Sequence, residues 1–499
     1  MADYDVIVIG AGCGGLAAGA LLAKQGRRTL VLEKNGWVGG CCTTFERNGF
    51  KFDLGASVVE IIQPIQAFFA EFGTDFFKEV DLIPVDPIYS YIEASGRHID
   101  YPVSLEKTKE VYSQFNRQDA ENWLKMADYY VDMLNNIVGV YALTPLNTLR
   151  DMATMMIKTP SMFKFMPLFF NSYQDTLERY FKDPLILSTM AFQSYYIGLP
   201  PELAPGYASL MAYSEHEGIW YPRGGMIQIP ESFRRLGEKH GMKVELNKRV
   251  SKVIIRNKRA CGVRLADGTE ISAKIVVSDT HSHNLYFKLI GEEHVPWVPK
   301  IGLKSMKPSI GSPMIYLGLD YAPPLTAHHS LTIDSMDFMN EYWWEYQLKG
   351  KLPPKPFSLM SWTSHTDPGM APKGYHTLNI MNVGAYHLKD TTWAKEKKLL
   401  ADRVIEYLDS FAVPGLKDHV VFKEVCTPVD MEQIVGNPEG SIYGFDMDLP
   451  KSAIFRPSSK SKFIKGLYLA GASTHPGGGV PTVTASGYNA AKLIERYEH

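Results

Sequence analysis

The alternation of apolar runs with glycine turns is most regular at the start of the chain. Residues 4–9 (YDVIVI) are rich in β-branched side chains, as expected of a strand that is buried on both faces of a parallel sheet. A glycine-rich turn follows, then a helical stretch from Leu16 to Lys24 and a second apolar run at residues 28–32 (RTLVL). This order predicts a strand, a tight turn, a helix and a second strand, which together begin a βαβ unit.

Strand patterns of the same kind return late in the sequence. Residues 243–280 alternate short Val/Ile runs with an ADGTE turn, which is typical of a small antiparallel β-meander. Residues 465–470 (KGLYLA) predict a buried strand that enters Gly471, and a helix is predicted from about Pro481 to Glu495. Proline suits the first helical turn because its missing N–H would be unpaired there anyway. A chain of 499 residues exceeds what one core usually supports, so we expect two domains whose segments are interleaved.

The middle of the chain differs in composition. Between about residues 96 and 215 Met, Tyr and Phe dominate on a helical background. Residues 151–171 (DMATMMIKTPSMFKFMPLFFN) are the extreme, but two prolines interrupt the run, so it is too short to span a bilayer. Thioethers and aromatic faces suit an adaptable apolar cavity, or an entrance that faces lipid and is held at the interface by Lys158 and Lys164. A helical core is the third interpretation, and the pattern leaves all three open.

The overall composition narrows the class of protein. With 45% hydrophobic and 21% charged residues, the chain is expected to be folded and still able to touch a lipid surface. A formal net charge of -2 gives no sign of a nucleic-acid partner, and five scattered cysteines indicate a reducing compartment. The first apolar run follows Asp3 and Asp5 rather than basic residues, unlike a secretory signal. We therefore expect a cytoplasmic protein, peripheral at the membrane surface, whose oligomeric state the sequence does not specify.

The first turn carries a dinucleotide-binding fingerprint. Gly10, Gly12 and Gly15 have the GxGxxG spacing between the predicted strand and helix, and Glu33 ends the second strand. Gly10 permits the tight turn, Gly12 lets the backbone approach a pyrophosphate, and Gly15 lets the helix pack on the strand, while the helix N-terminus supplies amide donors. Glu33 can accept hydrogen bonds from ribose hydroxyls and would repel a 2′-phosphate, which disfavours NADP. The fingerprint alone does not choose between FAD and NAD.

A glycine pair and a cysteine pair follow the fingerprint. Gly39-Gly40 comes too soon after Glu33 for another βαβ crossover, which needs at least about 10 residues, so it predicts a second turn against the same cofactor. Adjacent α-carbons lie about 3.8 Å apart, below the usual disulfide range of about 4.4–6.8 Å, so a Cys41-Cys42 bridge would be strained. No converging ligands suggest a metal site. We interpret the pair as compact residues lining the cofactor channel, with a thiol redox or flavin-tuning role as the alternative.

These motifs resemble a known family. The order of glycine turn, Glu33, Gly-Gly and TFERNGFKFDLGAS, together with WYPRGGM and GLYLAGASTHPGGGVPTVTASG, is similar to the flavoprotein superfamily of phytoene desaturases, carotenoid isomerases and retinol saturases, which shares its FAD fold with amine oxidases. The resemblance covers both ends and part of the middle of the chain. It implies an α/β FAD-binding Rossmann-like domain, with a parallel sheet plus a β-meander, interleaved with an α+β substrate domain. The implied FAD-binding domain comprises residues 1–95, 216–290 and 431–499, and the substrate domain comprises 96–215 and 291–430 with the apolar insert near 151–171.

The resemblance also implies a set of cofactor-binding residues. It places the helix that starts near Pro481 against the pyrimidine edge of the flavin, the Val250 backbone against the adenine, and Asp53 in a structural role. Many members have arginine where Cys41 stands, which leaves open the group that neutralises the phosphates. The expected FAD-binding residues are Gly10, Gly12, Gly14, Gly15, Glu33, Lys34, Gly39, Gly40, Cys41, Cys42, Gly55, Ala56, Ser57, Val250, Gly471, Ala472, Gly479, Val480 and Pro481.

The implied chemistry is FAD-dependent redox at carbon–carbon bonds of a long apolar isoprenoid such as a carotenoid or retinoid. THPGGGVP resembles the desaturase form and favours desaturation, whereas GGCC resembles the saturase form. Saturation and cis/trans isomerisation remain alternatives, an amine oxidase is a more distant one, and a flavin-binding protein without turnover is a third class.

The residue that handles the proton is less well defined by the sequence. The candidates are Glu215 and His216, which precede the WYPRGG turn, and His475 in the C-terminal motif. No metal site is predicted. No second fingerprint supports a nicotinamide site, so a quinone, oxygen or another carrier is expected to exchange electrons with the flavin.

Overall fold

Two large sheets organise the computed structural model, which describes residues 2–332, 335–447 and 456–498. The described strands are β1 Tyr4–Ile9, β2 Thr29–Leu32, β3 Thr44–Arg47, β4 Phe50–Asp53, β5 Leu82–Pro84, β6 Tyr89–Ile92, β7 His98–Tyr101, β8 Trp220–Pro222, β9 Lys243–Glu245, β10 Val250–Arg256, β11 Arg259–Leu265, β12 Glu270–Ser278, β13 Met314–Leu319, β14 His329–Thr332, β15 Ser358–Ser361, β16 His376–Asn382, β17 Val420–Cys426 and β18 Leu467–Leu469. The α-helices are α1 Cys13–Lys24, α2 Gln63–Glu71, α3 Phe76–Glu79, α4 Leu105–Ser113, α5 Arg117–Met133, α6 Gly139–Leu143, α7 Leu149–Lys158, α8 Tyr173–Tyr180, α9 Pro184–Ala191, α10 Met211–Ser214, α11 Gln228–Lys239, α12 Trp297–Ser305, α13 Met336–Glu341, α14 Thr363–Thr366, α15 Trp393–Asp409, α16 Pro428–Val435 and α17 Val480–Tyr497.

The first sheet gathers strands from the beginning, middle and end of the chain. Its order is β10-β11-β12-β1-β2-β9, and β18 pairs with β12. β1 is parallel to β2 and β12, and β18 is parallel to β12, whereas β10, β11 and β12 form the antiparallel meander. Val6, Ile7 and Val8 are fully buried, as a central parallel strand requires. The predicted α/β fold with a parallel sheet plus a β-meander is confirmed.

Two helix starts differ from the sequence prediction. α1 begins at Cys13 rather than at Leu16, because the glycine turn is itself the first turn of the helix and Gly12 is its N-cap. α17 begins at Val480, and Gly479 precedes it with a φ of +107°, a conformation that favours glycine. Both helices therefore begin directly at a glycine motif.

The second sheet has the order β17-β13-β16-β15-β14-β6-β7. Its described pairs are antiparallel except for β14 and β6, which are parallel. β13 is buried along its whole length. β6, which precedes the predicted domain boundary at residue 95, is a strand of this sheet.

Asp53 ties the two parts of the fold together. Its buried carboxylate accepts hydrogen bonds from the Thr44 hydroxyl at 2.6 Å, the Tyr221 hydroxyl at 2.6 Å and the Met226 amide at 2.9 Å. Its carbonyl oxygen faces the side-chain amide of Asn379 on β16, at 3.4 Å. These contacts agree with the structural role expected for Asp53.

We expect Asp53→Ala to destabilise the protein by about 3–5 kcal/mol, because two hydroxyls and one amide lose their buried acceptor. The shift is measured as the free energy of unfolding in denaturant. The matched control is Asp267→Ala, since Asp267 lies exposed in a turn where it accepts the Thr269 amide at 2.9 Å. Equal unfolding midpoints for the two variants would contradict a central role for Asp53.

The insert predicted near residues 151–171 is partly exposed. α7 and a 3-10 helix at Pro160–Phe169 cover most of it. Met155, Phe165 and Leu168 are buried, whereas Leu149 is 82%, Ile157 79%, Phe163 66% and Phe170 79% exposed. We call these four residues the apolar rim. A helical core, one of the three interpretations from sequence, agrees with the burial of Met155, Phe165 and Leu168 but is wrong for the exposed Ile157, Phe163 and Phe170.

Candidate active site

The first glycine turn presents the N-terminus of α1. Gly10 has a φ of +97°, and a Cβ on Gly15 would overlap the carbonyl oxygen of Gly10. A Cβ on Gly14 would lie 2.9 Å from the Gly471 amide nitrogen, so the C-terminal motif packs against the same turn. The turn therefore places backbone amides at a positive helix end, which suits a pyrophosphate.

The second glycine turn lies directly against the first. The Gly39 amide donates to the Ala11 carbonyl at 2.8 Å, and a Cβ on Gly40 would lie 3.8 Å from the Cα of Gly12. Both glycines have positive φ angles, +105° and +59°. The two turns that the sequence assigned to one cofactor are thus neighbours in space.

Glu33 stands at the edge of these turns. Its carboxylate accepts hydrogen bonds from the Ala11 amide at 2.9 Å and the Asn35 amide at 2.8 Å. The Lys248 amide donates to its carbonyl at 2.7 Å, which brings Val250, at the start of β10, close to the same edge. Lys34 donates to the Gln433 carbonyl at 3.0 Å. Glu33 and Val250 thus flank one end of the site, as binding of the adenosine half of a dinucleotide requires.

The cysteine pair is not bridged: Cys41 and Cys42 are both free thiols. Burial raises the pKa of Cys41 to about 11, and a hydrogen bond with Cys13, together with burial, raises that of Cys42. Cys42 also contacts the Met226 carbonyl, at 3.4 Å. Thiols that stay protonated at neutral pH are poor nucleophiles, which favours the lining role over thiol redox chemistry.

Residues 55–57 cross from the first sheet to the second. The Ala56 amide faces the Cys41 carbonyl at 3.4 Å, and a Cβ on Gly55 would lie 3.3 Å from that oxygen. The Ser57 hydroxyl lies 2.9 Å from Nε2 of His329, and His328 Nε2 donates to the Ser57 carbonyl at 3.1 Å. The segment is therefore fixed between the cysteine turn and β14.

His328 and His329 were not found from the sequence. Both are buried, and burial lowers the pKa of each, to about 4 for His329. They are therefore neutral at neutral pH and act as hydrogen-bonding groups rather than as cations. The signal in the sequence that could have indicated them is a pair of adjacent histidines within a strand pattern.

The C-terminal motif completes the site. The Gly471 amide donates to the Ser486 hydroxyl at 2.8 Å, and the Ala472 carbonyl accepts from Nη2 of Arg456 at 3.1 Å. α17 then starts with Val480 and Pro481 and crosses α1 so closely that a Cβ on Gly487 would overlap the Gly14 carbonyl. Two helix N-termini thus belong to one connected region.

These features fit FAD. The paired glycine turns and the N-terminus of α1 match a pyrophosphate, and Glu33 with Val250 matches the adenosine half. The Gly479 turn and the N-terminus of α17 match the pyrimidine edge, where negative charge develops on a reduced flavin. The fit rests on positions where a Cβ would collide with backbone.

Two candidate proton-handling residues are tied to backbone carbonyls. His216 Nδ1 donates to the Val103 carbonyl at 2.9 Å, and its ring lies 4.7 Å from that of Trp123. His475 Nε2 lies 3.2 Å and 3.1 Å from the carbonyls of Tyr141 and Thr144. Burial lowers the pKa of both histidines to about 4. These contacts favour structural roles for His216 and His475.

Glu215 has a different environment. It is 1% exposed, the Tyr196 hydroxyl donates to Oε1 at 3.1 Å, and burial raises its pKa to about 7. Glu60, three residues beyond Ser57, accepts the Ser214 hydroxyl at 2.8 Å. Burial and the charge of Glu215 raise the pKa of Glu60. Burial thus acts against ionisation of both carboxyl groups, and the sequence indicated only Glu215.

Comparisons with known proteins match nearly the whole chain. The family described as "Flavin containing amine oxidoreductase" matches residues 13–494. A phytoene desaturase (lycopene-forming) from Pseudescherichia vulneris is 29% identical, covering 98% of each chain, and one from Pantoea ananas is 29% identical with the same coverage. A 4,4'-diapolycopene oxygenase from Methylomonas sp is 29% identical, covering 97% of each chain.

Solved structures share the fold. An oxidoreductase from Methanosarcina mazei has a TM-score of 0.65 at 17% identity, covering 98% of this chain and 99% of that one. A redesigned putrescine oxidase has a TM-score of 0.65 at 16% identity, covering 99% of each chain. At such identities the likeness concerns the fold.

Proposed function

The chain belongs to the family of flavin-containing amine oxidoreductases and is an FAD-dependent oxidoreductase, and on this basis we propose that it desaturates carbon–carbon bonds of a long apolar polyene. The observation that carries the proposal is the extent of the similarity to enzymes named as phytoene desaturases, which covers 98% of both chains. It therefore includes the second sheet and the helical middle, not only the cofactor site. Those are the parts expected to hold the substrate.

The proposed reaction removes two hydrogens from adjacent carbons. When bound, FAD supplies an acceptor for a hydride. The second hydrogen leaves as a proton, and the single bond between the two carbons becomes a double bond. The protein must therefore supply a proton acceptor where water is excluded.

We assign the proton acceptor to Glu215. Its ionised carboxylate takes the proton, and the Tyr196 hydroxyl, 3.1 Å from Oε1, holds that carboxylate in place. Glu60, which accepts the Ser214 hydroxyl, lies three residues beyond Ser57 of the segment that links the cysteine turn to β14. A pKa of about 7 lets Glu215 accept and release the proton near neutral pH.

The test is an anaerobic incubation of the purified FAD-loaded enzyme with liposomes that carry a panel of polyenes, starting from oxidised and from reduced flavin. Mass spectrometry of the extract is expected to show loss of a hydrogen pair with oxidised flavin. Gain of a pair would instead establish a saturase, and an unchanged mass with altered retention an isomerase. Untouched polyenes together with flavin reduction by small amines would overturn the proposal in favour of an amine oxidase.

We further propose that the enzyme binds peripherally to the cytoplasmic side of a membrane through the apolar rim, because a long polyene resides in lipid. Leu149 and Ile157 protrude from α7, Phe163 from the adjoining 3-10 helix and Phe170 directly after it. Lys158 and Lys164 lie among them in the sequence. Protruding aromatic and aliphatic side chains beside lysines suit the interface of a bilayer. Within the described residues, no helix combines the length and apolar character that crossing a membrane requires.

Replacing Ile157, Phe163 and Phe170 together with serine is expected to reduce liposome binding by about tenfold or more, since each side chain loses burial in lipid. Co-sedimentation with liposomes measures the change. The control replaces Leu399 and Val421, which are also exposed, at 54% and 51%, but lie on α15 and β17. Binding equal to that of the control protein would contradict the proposal.

A further inference from the structure

A buried carboxyl group lies inside the glycine turn that fits the pyrophosphate. Asp279 directly follows β12, and its amide donates to the Ile9 carbonyl at the end of β1, at 2.8 Å. A Cβ on Gly12 would overlap its Oδ2, and one on Gly14 would lie 2.8 Å from its Oδ1. The carboxyl group thus touches the start of α1 from the side of the sheet.

The C-terminal motif closes over the same carboxyl group. A Cβ on Gly471 would lie 2.7 Å from Oδ1 of Asp279. The backbone amides of Gly12 and Gly15 face the carboxylate and favour its charged form. Asp279 therefore shares the amide donors of the first helical turn with any anion that binds there.

Within residues 2–332, 335–447 and 456–498, the side chains that face Asp279 add no compensating positive charge. From the end of β2 it is faced by Glu33, and from the loop after Gly39-Gly40 by the thiol of Cys41. The α1 turn and the β18–α17 turn, which also pack against it, present glycine backbone. Burial, opposed by the two amides and aided by the charge of Glu33, raises the pKa of Asp279 to about 7.

FAD brings further negative charge to the glycine turn beside Asp279. The pyrophosphate of FAD is ionised throughout the neutral range, and like charges a few Å apart in a water-poor site repel strongly. An ionised Asp279 would compete with the phosphates for the same amides, whereas a protonated Asp279 would remove the repulsion and could donate a hydrogen bond to a phosphate oxygen.

We propose that Asp279 binds FAD in its protonated form, so that the protein takes up a proton at this carboxyl group when it takes up the cofactor. FAD affinity is then set by pH: it is highest where the carboxyl is already neutral and falls as pH rises and the proton must be acquired. No covalent bond changes, and the proton comes from solvent.

The first test measures FAD binding to the apo form of the full chain between about pH 6 and 9, with quenching of flavin fluorescence as the readout. For wild type the Kd is expected to rise by about tenfold or more between about pH 7 and 8.5. Asp279→Asn is isosteric and neutral. Its Kd for FAD is expected not to change with pH, and it is expected to bind FAD more tightly than wild type at the highest pH values. Asp267→Asn, a change at an exposed turn, is expected to keep the wild-type slope.

The second test needs no variant and so does not depend on how Asp279→Asn folds. Calorimetric titration of the apo protein with FAD, in two buffers of different ionisation enthalpy, is expected to show net proton uptake that grows from about pH 6.5 to 8. Zero uptake with a Kd that does not depend on pH would overturn the proposal, as would an unchanged slope in Asp279→Asn. Neither measurement involves a substrate, so both stand apart from the outcome of the polyene assay.

Discussion

Gly14→Val is expected to give a folded protein that does not retain FAD. The new Cβ would lie 2.8 Å from Oδ1 of Asp279, 2.9 Å from the Gly471 nitrogen and 3.1 Å from the Val483 carbonyl. Two of these atoms are backbone and the third is buried, so the glycine turn must open to make room. Overpacking of this kind costs about 1–3 kcal/mol or more, and we expect the Kd for FAD to rise by about 100-fold or more.

The readouts for Gly14→Val are the flavin-to-protein ratio after purification and the Kd from fluorescence titration. Circular dichroism and the unfolding midpoint establish that the variant is folded. Gly139→Val is the matched control, because Gly139 also lies in a helix and an added Cβ there meets no atom within 4 Å. Full flavin content in both variants would show that the first turn does not hold the cofactor.

Glu215→Gln is expected to slow polyene turnover by about 100-fold to 10,000-fold, the usual contribution of a general base, while FAD content stays at the wild-type level. The amide keeps the size of the side chain but cannot take up the proton. In wild type, turnover is expected to rise with pH through about 7, because the ionised carboxylate is the active form. The variant is expected to lack that rise.

The raised pKa of Glu215 also predicts how the free energy of unfolding depends on pH. The pKa of Glu215 is about 7 in the folded protein against 4.5 for an ordinary glutamate, so the folded state holds a proton that the unfolded chain releases. Its stabilising contribution is fully present below about pH 4.5 and is lost as pH rises through about 7. Glu215→Gln should flatten this part of the pH dependence of unfolding.

Glu217→Gln is the control for Glu215→Gln, since Glu217 lies two residues further along and is exposed. It is expected to turn over polyene at nearly the wild-type rate. If the two variants differ by less than about threefold, Glu215 is not the general base and the proton acceptor lies elsewhere.

The sequence predicted the parts of the fold whose signals are local. β1, the glycine turn, α1 and β2 follow one another directly, and their side chains carry the 2.0 and 3.6 residue periods of strand and helix. The meander and the C-terminal helix were predicted for the same reason. Helix starts were displaced by up to three residues, because glycine motifs that look like loops in sequence are the first turns of helices here.

The remaining site residues depend on contacts that are distant in sequence. Asp279 reaches the glycine turn because Ser278 lies opposite Ile9 in a parallel pair of strands. That pairing was the missed signal, since the residue after a parallel strand next to β1 must lie at the phosphate edge. His216 and Glu215 are neighbours in sequence, yet one meets a backbone carbonyl and the other a tyrosine hydroxyl. Only tertiary packing separates their roles.

The insert at residues 151–171 is a second example of a feature that the local sequence could not predict. Its methionines and phenylalanines have the composition of a core, and periodicity does not reveal what covers a helix. Phe165 is buried and Phe163, two residues earlier, is 66% exposed. The choice between core and surface is made by neighbouring helices, which the local sequence does not encode.

The sheet that joins β1, β12 and β18 also sets the order of events during biosynthesis. The chain emerges from the ribosome with its first strand hundreds of residues ahead of the strand at Leu467–Leu469 and the helix that follows. Pairings of such long range form slowly, because a long loop must close before they are made. We therefore expect cofactor loading to wait until translation has passed α17, and a chain terminated before that point to remain colourless and be open to proteolysis.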